Sequence, residues 1–199
     1  TLTGEDATSG VALIEYSYNG TDWHDYLNPF DITLEGNTPV YTRITDNAGL
    51  ETTYSPQITV DIDKTEPTIS DIVLDGTIGD NDWYTSDIEA TLAASDVTSG
   101  LEHIEYSLNA GADWLEYLGP FVLGTEADSQ NIQYRAVDLA GLTSETKSQD
   151  FKIDKSAPVM NEPALAGTLG DNDWYVSDVE ATLTGEDATS GVALIEYSY

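Results

Sequence analysis

The chain of 199 residues is 40% apolar and has no cysteine, so it can build folded cores but offers no disulfide or thiol chemistry. Against 37 acidic residues stand only six basic ones (Arg43, Lys64, Arg135, Lys147, Lys152 and Lys155), a formal charge of −31 that excludes the basic face a nucleic acid needs. Such like charge opposes compaction unless it is screened or neutralised, which points to high salt or divalent cations. A solvated acidic surface that keeps the chain soluble is the plainer reading. No stretch has the length of a membrane span, so membrane insertion is not expected.

In chain order, the first feature is TLTGEDATSGVALIEYSY at Thr1–Tyr18. It returns altered as TLAASDVTSGLEHIEYSL at Thr91–Leu108 and unaltered at Thr182–Tyr199, steps of 90 and 91 residues. DWHDYLNPF at Asp22–Phe30 becomes DWLEYLGPF at Asp113–Phe121, and RITDNAGL at Arg43–Leu50 becomes RAVDLAGL at Arg135–Leu142. IDKTEP at Ile62–Pro67 becomes IDKSAP at Ile153–Pro158, and GDNDWYTSDIEATL at Gly79–Leu92 becomes GDNDWYVSDVEATL at Gly170–Leu183.

A period near ninety residues is one domain-sized module, and the proline-bearing DK segments are its connectors. Residues 1–63 read as a partial module without its first strand segment, 64–154 as a complete module, and 155–199 as the first strands of a third. First and third agree throughout their overlap while the middle differs. The simplest generator is therefore an alternating array with a 181-residue unit, 90 plus 91, of which this chain is a window. A polymer in which one chain's tail completes the next chain's head is the rival, weakened because both ends carry the same strands.

Within the complete module, short strand signals alternate with turn residues. Strands are predicted at 68–74, at 88–94 with Ile88, Ala90 and Leu92 on one face, and at 103–108. In the last, Ile104, Tyr106 and Leu108 face one way, Glu105 and Ser107 the other. Residues 114–118 and 121–123 flank Gly119-Pro120, and 132–137 joins 146–153 through the DLAG turn. No segment has helical periodicity. Seven short antiparallel strands imply an all-β fold of tandem immunoglobulin-like β-sandwiches.

The order DNDWYTSDIEATL, SGLEHIEYSL, DWLEYLGPF, YRAVDLAG, FKIDKSAP resembles a family of bacterial Ig-like tandem repeats, over essentially the whole chain. That resemblance implies modules of large secreted or surface proteins such as adhesins and S-layer-type coats, with no catalytic residues of their own. The expected function is a non-catalytic extracellular array acting as stalk, filament, spacer or surface layer. Its partners would be neighbouring copies of the same module, head to tail and by lateral self-assembly. The alternatives are a carbohydrate-binding adhesin module and an accessory domain of an exported enzyme.

Calcium is the cofactor these residues suggest, because it takes several hard oxygen ligands and the loops are dense in Asp and Asn. Asp80 and Asp82, repeated as Asp171 and Asp173, lie in the GDND loops. The topology brings the exit of one module, Asp63 or Asp154, near loops of the next carrying Asp96 or Asp187 and Asp138; the first copy carries Asp6 and Asp46. Asp80, Asp82 and Asp154 with Asp187 form the favoured cluster. The spacing fits no EF-hand pattern, and the same residues also serve as turn formers and strand-end caps. His24 and His103 stand where sister modules carry leucine, which argues against acid–base catalysis. Trp23, Trp83, Trp114 and Trp174 suit either core packing or sugar stacking. Arg43 and Arg135 are expected to pair with strand carboxylates. Asn19-Gly20-Thr21 is a glycosylation sequon.

Overall fold

A computed structural model describes residues 1–54 and 57–198; Ser55, Pro56 and Tyr199, the last residue of the repeated segment, lie outside the described residues. The described chain is all-β, with antiparallel sheets, and Asp80–Asp82 and Asp171–Asp173 form tight turns. No helix among the described residues is long and apolar enough to cross a membrane. The chain divides into two compact units. One comprises Thr1–Thr68, Ala94–His103 and Ala136–Ser144, the other Ile69–Ala93, Ile104–Arg135 and Glu145–Tyr199.

In the first unit Val11–Ser17 lies between His24–Asp25 and the long strand Gly36–Asp46. That strand pairs through its early half with Ile58–Ile62 and through its late half with Glu51–Thr53. The register sets Glu15 opposite Arg43. The guanidinium answers with two bonds to the Glu15 carboxylate, at 2.6 and 3.0 Å, while lying 4.2 Å over the Trp23 ring. A cross-strand ion pair roofed by an aromatic ring is screened less by water than an exposed pair, so its two charges attract more strongly.

The second unit repeats this arrangement, with Arg135 bonded to Glu105 at 2.5 Å and stacked 4.0 Å over Trp114. The expected pairing of both arginines with strand carboxylates is therefore present. Tyr16 on Phe30 and Tyr106 on Phe121 form matching stacked pairs at 3.9 and 4.2 Å.

The middle repeat places Leu115–Glu116, Leu101–Ser107, Ala127–Asp138 and Lys147–Ile153 in one sheet, and Phe121–Leu123, Ile88–Thr91 and Val73–Asp75 in another. Ile88, Ala90 and Leu92 are buried as their alternation predicts, with Leu123, Ile104, Ile132, Tyr134, Phe151 and Ile153. Two antiparallel sheets with a shared apolar core are consistent with a β-sandwich.

Two expected strands are interrupted. The first breaks because the Ile72 N–H donates to the Tyr134 hydroxyl, 3.1 Å away, instead of to a strand neighbour, and the ladder resumes at Val73. The second ends at Thr91 and resumes at Ala94. The third strand also departs from simple alternation: Leu108 is exposed, whereas Ser107 is buried because its hydroxyl organises the Asn109 turn.

The repeated segment folds differently in its two copies. Val11–Ser17 is a strand laddered to Tyr41–Asp46, yet residues 192–198, with the same letters, hold no strand. Conversely, Gly185–Glu186 pairs with Val159–Met160, while Gly4 and Glu5 are unpaired. Backbone N–H and C=O groups make a strand only where a neighbour accepts them.

Two outcomes follow. Ile132→Ala removes fully buried methyls and costs about 2–5 kcal/mol by urea unfolding, whereas exposed Leu165→Ala costs under about 0.5 kcal/mol; equal effects would refute this assignment of the core. The hydrogen-bonded Arg43 guanidinium holds the Glu15 carboxyl below its ordinary range, against the opposing effect of burial. Because the folded value is the lower one, this contribution is complete above the unfolded carboxylate range and is lost as pH falls through the folded value. Glu15→Gln should flatten the acid limb of a stability–pH curve, and an unchanged limb would contradict the pairing.

Candidate metal centre

Three loops of the first unit bring Asp63, Asp96 and Asp138 together, with one ligand oxygen from each within 4.8 Å of the others. Each is placed by a turn it caps itself. Asp63 follows the strand Ile58–Ile62, and its Oδ1 accepts the Thr65 N–H at 3.0 Å while Oδ2 accepts the Ser99 N–H at 3.0 Å. Asp96 opens the TSG loop, where its Oδ1 accepts the Thr98 and Gly100 N–H groups at 3.0 and 2.8 Å. Asp138 closes the strand Ala127–Asp138, and its Oδ1 accepts the Leu142 N–H at 2.8 Å across the DLAG turn. Gly141 takes φ +84° there, the left-handed conformation that glycine adopts without a Cβ clash. The Leu139 N–H donates to Gly100 O at 2.9 Å, tying the DLAG turn to the TSG loop.

The burial is unequal. Asp63 and Asp96 are half-buried, Asp138 is fully buried, and Asp138 Oδ2 has no hydrogen-bond partner. No described lysine or arginine pairs with any of the three. The Ser99 side chain first, then the Thr65 amide, hold the Asp63 carboxyl below its ordinary value despite burial, so it is ionised at neutral pH. Three hard oxygen donors in a partly desolvated place suit a cation. Among the described residues this is the one group of three or more Asp, Glu or His with such spacing.

The remaining predicted ligands fall elsewhere. Asp154 Oδ1 accepts the Ser156 N–H at 3.0 Å and Oδ2 the Ser190 N–H at 3.1 Å, repeating Asp63, and its carboxyl is likewise held low, chiefly by the Ser190 side chain. Asp187 repeats Asp96, accepting the Thr189 and Gly191 N–H groups at 3.1 and 2.8 Å. Asp80 lines an open cleft with Asp154, while Asp187 lines an adjoining one. In the first copy Asp6 caps Thr8 to Gly10 and Asp46 caps Ala48 and Leu50.

The GDND loops have their own explanation. Asn81 and Asp82 both adopt left-handed backbone, φ 53° and 60°, and the Trp83 N–H returns to Asp80 O at 3.2 Å. That is a type I′ hairpin turn, which selects Asn and Asp for conformation. Asn172 and Asp173 repeat it at φ 54° and 60°, and Asp80, Asp82, Asp171 and Asp173 are all exposed.

Sequence reasoning did not single out Ser99 and Ser190, whose N–H groups receive the exit aspartates. The signal was present as the TSG triplet standing in all three copies. Asn19 of the sequon organises its own turn, accepting the Thr21 and Asp22 N–H groups while its Nδ2 donates to Asp22 at 2.7 Å. Asn109, which starts no sequon, does likewise with Asp113.

No family model matches the chain, and no curated protein matches it.

The turn geometry predicts that Asp82→Gly keeps or raises thermal stability, since glycine at the second position of a type I′ turn relieves left-handed strain. A clear loss of stability on that substitution would show that the Asp82 side chain carries more than the turn.

Proposed function

We propose that this chain is a stretch of a non-catalytic extracellular array of bacterial Ig-like modules, serving as a spacer, stalk, filament or surface coat. Its partners are neighbouring copies of the same module, head to tail and laterally, with neither nucleic acid nor membrane insertion involved. The observation that carries this reading is the repetition of one connector chemistry. Asp63 with Ser99 and Asp154 with Ser190 make the same contact one module apart, each joining an exit aspartate to the TSG loop of the following repeat. A function that depends on length uses such interchangeable joints.

Burial supports the modular reading. Ile88 is fully buried in the middle repeat, whereas Val179, at the same position of the third, is 40% exposed. Trp83 is half-buried, but its counterpart Trp174 is 75% exposed. These apolar positions are built to be covered by the later strands of a module. The sugar-stacking alternative finds less support, because Arg43 and Arg135 already occupy faces of Trp23 and Trp114.

Small-angle scattering on arrays of two, four and six whole repeats tests the proposal. A maximum dimension that grows by a constant increment per repeat is the expected result, together with silence on a glycan array. Collapse to a globule, or saturable glycan binding that Trp23→Ala or Trp114→Ala abolishes, would replace the spacer reading with the adhesin one.

A further inference from the structure

We propose that Asp63, Asp96 and Asp138 form a binding site for a hard divalent cation of calcium's size, which clips the exit of one repeat to two loops of the next. Carboxylate clustering alone does not carry this, since an acidic chain places many carboxylates near one another. The independent observation is Asp138. Its side chain is fully buried, its Oδ1 is spent on the DLAG turn, and its Oδ2 has no partner, although buried polar atoms are almost always satisfied. A buried carboxylate oxygen beside two further carboxylates, with no described lysine or arginine paired to them, is a charge arrangement that a bound cation completes.

Ligand chemistry favours calcium over magnesium. Three carboxylate oxygens within 4.8 Å of one another are close enough to share one ion, and calcium accepts irregular sets of oxygens. Magnesium demands near-ideal octahedral geometry and keeps its waters, which three carboxylates on three separate loops do not match. The ligand oxygens not supplied by the chain come from water.

The site needs two consecutive repeats: Asp63 belongs to the first, Asp96 and Asp138 to the second. This chain holds all three positions once. Asp6 with Asp46 supplies the two-loop half of another copy, and Asp154 with Asp187 supplies the exit half with one loop. The recurrence of the site along an array rests on the modular reading above; the site itself does not.

The test is calcium titration of the whole chain, stripped with chelator, by calorimetry and by thermal unfolding, in dilute buffer and in molar sodium chloride. One saturable calcium per chain is expected, with magnesium much weaker and a rise in Tm that sodium chloride alone does not reproduce. Asp138→Asn and Asp63→Asn should each weaken calcium about tenfold or more, while the double substitution Asp80→Asn, Asp82→Asn leaves it unchanged. Far-UV circular dichroism in chelator checks that each variant folds, and Asp63→Asn decides the matter if Asp138→Asn does not. Failure to bind calcium in the millimolar range, full affinity in the folded Asp63→Asn variant, or an equal rise in Tm with sodium chloride would each overturn the site. None of those results touches the spacer reading, which fails if longer arrays do not lengthen or if glycan binding depends on Trp23 or Trp114.

Discussion

A β-strand is held by its neighbour, and that dependence governs this chain. The segment VALIEYS is a seven-residue strand at Val11–Ser17, where Gly36–Asp46 accepts its hydrogen bonds. The same letters at 192–198 make no strand. Leu194 is 71% exposed, while Leu13, its twin, is half-buried. Propensity and alternation are equal in the two copies, so the difference comes from pairing alone. A module of this kind assembles as a set, because each strand needs the hydrogen bonds of those beside it and the apolar face of those opposite.

Charge sets the second constraint. Each of the six cations has a structural partner. Arg43 and Arg135 pair with strand glutamates under tryptophan rings, and Lys147 and Lys155 bond Asp71 and Asp87 at 2.6 Å. Lys64 donates to Thr33 O at 2.8 Å, and Lys152 lies 5.1 Å over the Trp83 ring. The positive charge is therefore committed to partners within the chain, and the excess of carboxylates remains for solvent, salt and cations. This explains why aspartates at loops are stabilised by backbone N–H groups. Asp6, Asp63 and Asp154 are all held low by hydrogen bonds from Thr or Ser residues and their neighbours, with no cation involved.

Much of this was legible in the sequence. The alternation of Ile88, Ala90 and Leu92 gave the buried face, and the recurrence of Arg43 and Arg135 before a hairpin turn gave the ion pairs. Asp63, Asp96 and Asp138 could be named because topology brings a module's exit to the loops of its successor. Other features depend on groups far apart in sequence. The break after Ile69 comes from a tyrosine hydroxyl 62 residues beyond Ile72, which no local pattern encodes. Asp80 and Asp82 carried ligand-like composition, yet two consecutive left-handed residues account for Asn81 and Asp82 by backbone conformation alone. Alternation sets Leu108 on the face of Ile104 and Tyr106, but the Ser107 hydroxyl bends the chain into the Asn109 turn just there.

Composition therefore does not distinguish an aspartate that shapes a turn from one that also offers an oxygen to a ligand. Asp6, Asp46, Asp63, Asp96, Asp138, Asp154 and Asp187 all cap N–H groups with their side chains, so capping is common to them. Burial of the second oxygen separates them. Asp6 is exposed on its turn, where water hydrates whatever the turn leaves over. Asp138 has the same capping role, but it ends a strand whose last alternate residues, Ile132, Tyr134 and Ala136, all point into the core. Strand periodicity carries Asp138 inward with them, so the residue that turns the hairpin also delivers a carboxylate into a desolvated place beside two others. A two-residue alternation that continues one position past the apolar run is enough to turn an ordinary turn former into the centre of a junction.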